Sequence, residues 1–199
     1  MRFRYSLGSV LYLAYCFLRT KLIARKARLM RFPIDIRGRS FIDFGERLTT
    51  GVGCRIEAEF VGNEHEQKTK IFFGRNIQIN DYVHITAAKK ITFGDNVLIA
   101  SKVYISDCSH GSYGFEGHHD SPLSIPKDRK TFADEVKIGD NVWLGENVAV
   151  LMGVEIGSGS IIGANSVVTK SLPANCIAAG IPAKVIKKFD FDLNQWRKV

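Results

Sequence analysis

Acidic residues are absent from the first 34 positions of this chain, although 20 occur in the rest. Eight basic side chains fall in that stretch: Arg2, Arg4, Arg19, Lys21, Arg25, Lys26, Arg28 and Arg31. They equal the whole net charge of +8, so the rest of the chain is electrically balanced. That balance leaves a basic face for nucleic acid in the main body unsupported. Cysteine is scarce too. Cys16, Cys54, Cys108 and Cys176 stand far apart with no CxxC pair, which argues against a disulfide framework and for a reducing cytosol. Long apolar runs are also missing. The longest, Leu7 to Leu18, is too short to span a bilayer, and Arg19-Thr20-Lys21 follows it where a signal peptide would have small residues. Five histidines are present, but His84 and His110 have no close partner to complete a zinc site, so no metal is expected. No glycine-rich nucleotide-binding domain precedes the body of the chain.

What the chain does contain is a period of six. Ile138, Leu144, Val150, Ile156, Ile162 and Val168 recur at every sixth position, and glycine follows four of them. Two residues ahead of each sit Val136, Val142, Val148, Val154, Ser160 and Ser166. An α-helix would scatter such positions around its surface. A short strand and a tight turn, three to a coil, would stack them into one inward ladder with coils about 4.8 Å apart. The frame recurs at Phe73, Ile79 and Ile85, then at Phe93, Ile99 and Ile105, and more weakly at Phe44, Thr50 and Ile56. The expected fold is all-β: a parallel β-helix of hexapeptide repeats over residues 33–183. Residues 1–32 form a basic helical segment ahead of it, and 184–199 an extension ending in a short helix. Two breaks interrupt the ladder. Glu57 to Lys70 is charged, and residues 106–134 read as a long protruding loop, a type of segment more often functional than idle.

For residues 1–31 two arrangements fit. A basic, apolar helix suits the anionic face of an inner membrane. It also suits packing on the end of the coil or on a second subunit.

Several blocks of the chain resemble the hexapeptide-repeat O-acetyltransferases, closest to those of lipopolysaccharide and O-antigen biosynthesis. They are Asn80-Asp81-Tyr82-Val83-His84-Ile85, Leu98 to Val103, Ile105 to Gly111, Val142 to Asn147, and the ending Ala178 to Ile186. Thr50-Gly51-Val52-Gly53 and Gln195-Trp196 add to the likeness, which runs from about residue 30 to the C-terminus. Galactoside and maltose acetyltransferases resemble the coil portion more distantly. The resemblance implies a left-handed coil, a homotrimer, acetyl-CoA as donor and a saccharide as acceptor. It places the general base at His110, and this chain carries Cys108 where the subgroup often has histidine. It maps CoA contacts onto Trp143, Glu146, Ala164, Thr169, Lys170, Lys184 and Lys187. Acceptor contacts fall on Asn80, Tyr82, His84 and Asp107. A non-enzymatic β-helix used for assembly or binding is the alternative reading.

The chemistry asked of such a chain is modest. A sugar hydroxyl becomes a competent nucleophile when a base removes its proton during attack on a thioester. One histidine titrating near neutral pH at the mouth of a groove suffices. His118 and His119 read as loop surface, because adjacent imidazoles diverge. His65, in the charged segment, reads as solvated.

Overall fold

The computed structural model describes residues 6–58, 69–114 and 117–199. His65 and most of the segment between Glu57 and Lys70 lie outside them, as do Arg2 and Arg4.

From Leu29 onward short strands follow one another in a threefold cycle. Ile71–Phe73, Gln78–Ile79 and His84–Ala87 belong to three different sheets, and Ile91–Phe93 returns to the first of them in register with Ile71–Phe73. Within the coil, all three sheets are built from parallel pairs between successive turns. One contains Gln78–Ile79, Leu98–Ile99, Trp143–Leu144 and Ile161–Ile162, and is called the first face. The second face contains Arg55–Ala58, His84–Ala87, Tyr104–Ser106, Ala149–Val150 and Val167–Val168. The third contains Ile71–Phe73, Ile91–Phe93, Val136–Ile138 and Glu155–Ile156. The result is a three-sided parallel coil whose interior is the ladder expected from the period of six.

Every residue of that frame is buried, from Phe44 to Val168, and so are the small residues two positions ahead of the main repeats. Burying an aliphatic side chain of this size contributes about 1.5–3 kcal/mol each, so the ladder dominates the fold's energetics. Phe44, Phe73 and Phe93 stack in file with centroids 6.5 and 4.9 Å apart. The two serines in the ladder are satisfied: Ser160 Oγ donates to the Pro173 carbonyl at 2.9 Å, and Ser166 Oγ to that of Gly163 at 2.7 Å. Thr50 is different. Its Oγ1 is buried and has no partner among the described residues. At the corner between the third and first faces, Asn76, Asn96 and Asn141 take left-handed backbone angles, and their side chains bond from coil to coil at 2.9 and 3.2 Å. Corner glycines admit the next coil: a Cβ on Gly74 would lie 2.4 Å from the Gly94 carbonyl oxygen.

Helix α1, Leu7–Ile23, packs against the first coil. Ser6 caps it, and Cys16 and Thr20 are its buried residues. The Tyr12 hydroxyl donates to the Phe32 carbonyl at 2.7 Å, and Thr20 Oγ1 accepts from the Met30 amide at 2.8 Å. Among the described residues of this segment, the helix packs on the first coil of the same chain. The opposite side of the helix carries Leu7, Leu11, Leu18 and Leu22, each more than 60% exposed. Among the described residues no helix is long and apolar enough to cross a membrane.

Two expectations need correction. The C-terminal extension is not helical. Ala183–Asp190 and Gln195–Lys198 are antiparallel strands that continue the first face beyond Cys176–Gly180. Residues 183–189 alternate between half-buried and exposed, a period of two that suits a sheet and not a helix. The excursion between the second and third faces is not a structureless loop. Cys108–His110 pairs antiparallel with Thr131–Ala133, closing it at its base as a hairpin.

Candidate active site

The second face and its two edges gather most of the chemistry. Its outward row runs Arg55, His84, Tyr104, Ala149, in register from strand to strand. Beside it runs Glu57, Thr86, Ser106. Glu57 is only 6% exposed although it points to the outside of the coil. Its Oε1 accepts from Arg37 Nη1 at 2.9 Å and Arg55 Nη2 at 2.7 Å, and its Oε2 lies 3.0 Å from His84 Nε2. Burial works to raise the Glu57 pKa, but the hydrogen bonds from Arg55 and His84, with the charges of Arg55 and Arg37, outweigh it and hold the carboxyl below its ordinary range. The Tyr104 ring lies 5.4 Å from that of His84.

At the edge toward the third face the hairpin emerges. Tyr104, Ser106, Cys108, Ser109, Tyr113 and Leu151 are among the residues lining a cavity of 350 Å³ beside it. Ser106 Oγ accepts from the Cys108 amide at 3.2 Å and so fixes the hairpin's first residue. His110 is exposed, and its carbonyl accepts from the Tyr113 hydroxyl at 2.9 Å. Its imidazole has no hydrogen-bond partner among the described residues. The chain therefore presents His110 to solvent at the end of a paired strand, with Cys108, not His110, on the cavity wall.

Asp107 departs from the expectation that it touches the acceptor. It is fully buried, with Oδ1 accepting from the Ala88 amide at 2.7 Å and Oδ2 from those of Lys89 and Lys90 at 2.8 and 2.6 Å. Burial pushes its carboxyl pKa up, while those three amides pull the other way. The sequence motif was read for its histidine. Nothing in it signalled that the neighbouring aspartate binds the 88–90 turn of the preceding coil, next to the point where the hairpin leaves.

The other expected acceptor residues lie at the edge toward the first face. Tyr82 is exposed with a left-handed backbone, and its ring sits where a Cβ on Gly53 would be. Asn80 shares a small polar pocket with Arg31, Gln78 and Ser101. Glu146 and Ala164 continue the same edge: the Asn165 amide donates to the Glu146 carbonyl at 2.8 Å, and Lys102 Nζ, one coil earlier, lies 3.7 Å from Glu146 Oε1.

The seven residues expected to hold CoA do not converge within one chain. Trp143, half exposed, points outward on the first face, in a row continued by Ile161, Ile177 and Lys187. Lys184 is exposed on the same face, opposite Ala179. Lys184, Lys187 and Lys170 form no ion pair among the described residues, which fits cations reserved for phosphates. Thr169 and Lys170 follow Val168 at the opposite edge of the second face, beyond Leu151 and on the hairpin's side. Glu146 and Ala164 lie at one edge of the second face and Thr169 and Lys170 at the other, while Trp143, Lys184 and Lys187 lie on the first face. Glu57, Arg37, Arg55 and Tyr104 are the residues that sequence reasoning passed over. Alternation of Arg55 and Glu57 about the inward Ile56 was the available signal for the first of them.

A three-sided parallel coil built on a six-residue period, with a histidine-bearing hairpin at one edge, defines a hexapeptide-repeat transferase. Residues 135–170 match the family described as bacterial transferase hexapeptide (six repeats). The chain belongs to the hexapeptide-repeat O-acetyltransferases: it is 45% identical over 98% of its length, and 96% of the relative's, to WbbJ of Escherichia coli (strain K12), which bears the name lipopolysaccharide biosynthesis O-acetyl transferase. It is 38% identical over 61% of its length to 56% of the galactoside O-acetyltransferase of the same organism. Among solved structures, AntD of Bacillus cereus, an N-acyltransferase seen with coenzyme A and dTDP-4-amino-4,6-dideoxyglucose, superposes with a TM-score of 0.70. That match covers 97% of this chain and 94% of AntD at 19% identity, and establishes the shared fold.

Proposed function

We propose that this protein transfers the acetyl group of acetyl-CoA to a hydroxyl of a saccharide in surface-polysaccharide assembly, in lipopolysaccharide, O-antigen or capsule. The observation that carries the reading is the near-full-length identity to a lipopolysaccharide O-acetyl transferase. Acetyl-CoA, when bound, supplies an activated thioester. The chain's own part is to hold the donor, orient the acceptor and remove one proton. His110 takes the acceptor proton, since its imidazole is exposed and engaged by no other side chain of the described chain. Trp143, Glu146, Ala164, Thr169, Lys170, Lys184 and Lys187 hold the donor, and Asn80, Tyr82 and His84 meet the acceptor. Asp107 contributes through the three amides it binds. A left-handed winding belongs to this reading and follows from the family resemblance.

The division of the donor residues between two edges supports a homotrimer. Packed side by side, one copy's Glu146 and Ala164 edge meets the hairpin edge of the next, where Thr169 and Lys170 lie. Residues 1–31 meet the cytoplasmic face of an inner membrane. The leucines on the far side of α1 lie in a setting with Arg19, Lys21, Arg25 and Arg28 and no acidic residue, which complements an anionic leaflet. Replacing the exposed Leu11, Leu18 and Leu22 by serine releases the enzyme from anionic vesicles while it stays folded.

The test of the main reading is direct. Incubated with acetyl-CoA and a panel of free and lipid-linked saccharides, the protein releases CoA thiol only when an acceptor is present, and the acceptor gains an ester-linked acetyl group. Acceptor-independent thiol release, or none with any saccharide, overturns it in favour of a β-helix binding module.

A further inference from the structure

Arg37, Arg55, Glu57 and His84 form a cluster of ionisable side chains on the second face, apart from the hairpin. We infer that Glu57 is a positioning residue that locks the imidazole of His84 as a hydrogen-bond acceptor for a saccharide hydroxyl, with Tyr104 beside it as a stacking surface.

Glu57 itself has nothing left to offer a ligand. Its carboxylate is nearly sealed from solvent, and both oxygens are engaged, one by two guanidinium groups and the other by His84 Nε2. The ion pairs keep it ionised, and an ionised carboxylate only accepts hydrogen bonds. The imidazole nitrogen 3.0 Å away must therefore carry the hydrogen. In neutral His84 that leaves Nδ1 with a lone pair and no hydrogen. The ring is one-third exposed, so a ligand on the outer face can use it. Arg37, from the preceding coil, and Arg55, on Glu57's own strand, hold Oε1 and leave Oε2 to His84, and all three strands belong to the same parallel sheet.

The neighbours of His84 suit a sugar. Tyr104, 38% exposed, offers a ring face, and aromatic rings pack against the apolar faces of sugar rings. Tyr104 also lines the cavity at the hairpin, so a group bound over His84 is adjacent to the space beside Cys108. His84 Nδ1 makes no hydrogen bond among the described residues, while a third of the side chain is open to solvent. The ligand class is a saccharide with a free hydroxyl to donate there.

This inference rests on the acetyl-transfer reading for its ligand, and its test separates the two. The first measurement needs no acceptor: nitrogen-15 shifts of the His84 ring in the full chain, assigned by their loss in His84→Ala. The Nε2–H form is expected in the wild type, and a mixture of tautomers in Glu57→Gln, whose amide can donate as well as accept. An Nδ1–H form in the wild type, or an unchanged tautomer in Glu57→Gln, overturns the inference. The second uses the acceptor that supports CoA release. His84→Ala and Glu57→Gln are expected to raise its KM about tenfold or more while KM for acetyl-CoA and the oligomeric state stay as they were, and Glu57→Asp is expected to recover part of the loss. Unchanged acceptor KM with normal turnover, or an effect explained wholly by dissociation of subunits, overturns it. If no saccharide supports CoA release, the acetyl-transfer reading has failed, and the tautomer result still stands on its own.

Discussion

Replacing Thr50 by valine should stabilise this protein. Thr50 is the rung of the first-face ladder between Met30 and Ile79, in a file that continues through Ile99, Leu144 and Ile162. It is 1% exposed, and its hydroxyl has no partner among the described residues, whereas the ladder serines Ser160 and Ser166 each donate to a carbonyl. A buried hydroxyl without a partner costs about 1–3 kcal/mol of desolvation. Valine has nearly the same shape, so the change removes that cost and opens no cavity. For a chain of this size about 1 kcal/mol moves the melting temperature by roughly 2–4 °C, so Thr50→Val should melt higher by at least that much. The urea midpoint should rise with an unchanged slope, since the surface exposed on unfolding is the same. Thr49→Val is the control: Thr49 points outward from the same strand, and the change should leave the midpoint within about 0.5 kcal/mol. A fall in stability for Thr50→Val would mean that the hydroxyl is bonded in the folded protein and that the ladder at this rung is not as described.

Two further outcomes follow from the site. Lys184→Ala should raise KM for acetyl-CoA with kcat largely kept, because on the proposed function this exposed cation of the first face meets the donor's phosphates in ground and transition states alike. An unchanged KM removes Lys184 from the donor site. The Glu57 carboxyl titrates lower in the folded chain than in the unfolded one, so its stabilising effect is present above the unfolded pKa of about 4.3 and is lost as pH falls through the folded value. The wild type's advantage in urea midpoint over Glu57→Gln should therefore be constant near neutrality and shrink in the acid range, and a constant gap down to acid pH contradicts the network described.

How far the sequence could be read depended on whether a residue's burial followed from its own period. Ile138 to Val168 declared themselves because each inward position must be aliphatic or small, and the coil repeats that demand at fixed spacing. Glu57 was legible only as the start of a charged break. A carboxylate on an outer face becomes buried only when Arg37, from the preceding coil, and Arg55 and His84 fold over it, and that contact spans 20 residues one way and 27 the other. The C-terminal strands were misread because Ala183 to Asp190 lies beyond the hexapeptide frame, and its alternation is short enough to pass for a helix face. The hairpin at Cys108 to His110 has no repeat at all, and its pairing with Thr131 to Ala133 is set by distant chain. For the site, the motif located His110 on the hairpin edge but was silent on Asp107's bonding and on Cys108's place in the cavity wall. The residues expected to hold the donor fell on the first face and on two edges of the second, because the resemblance carries over positions along the chain and not their proximity in space.

The central claim, acetyl transfer with His110 as base, is tested most directly by His110→Ala assayed with the saccharide acceptor. A lost general base lowers kcat by about a hundred- to ten-thousand-fold, with KM for acetyl-CoA close to the wild-type value. Near-normal kcat in His110→Ala would contradict the account and move the proton-accepting role to the imidazole held by Glu57.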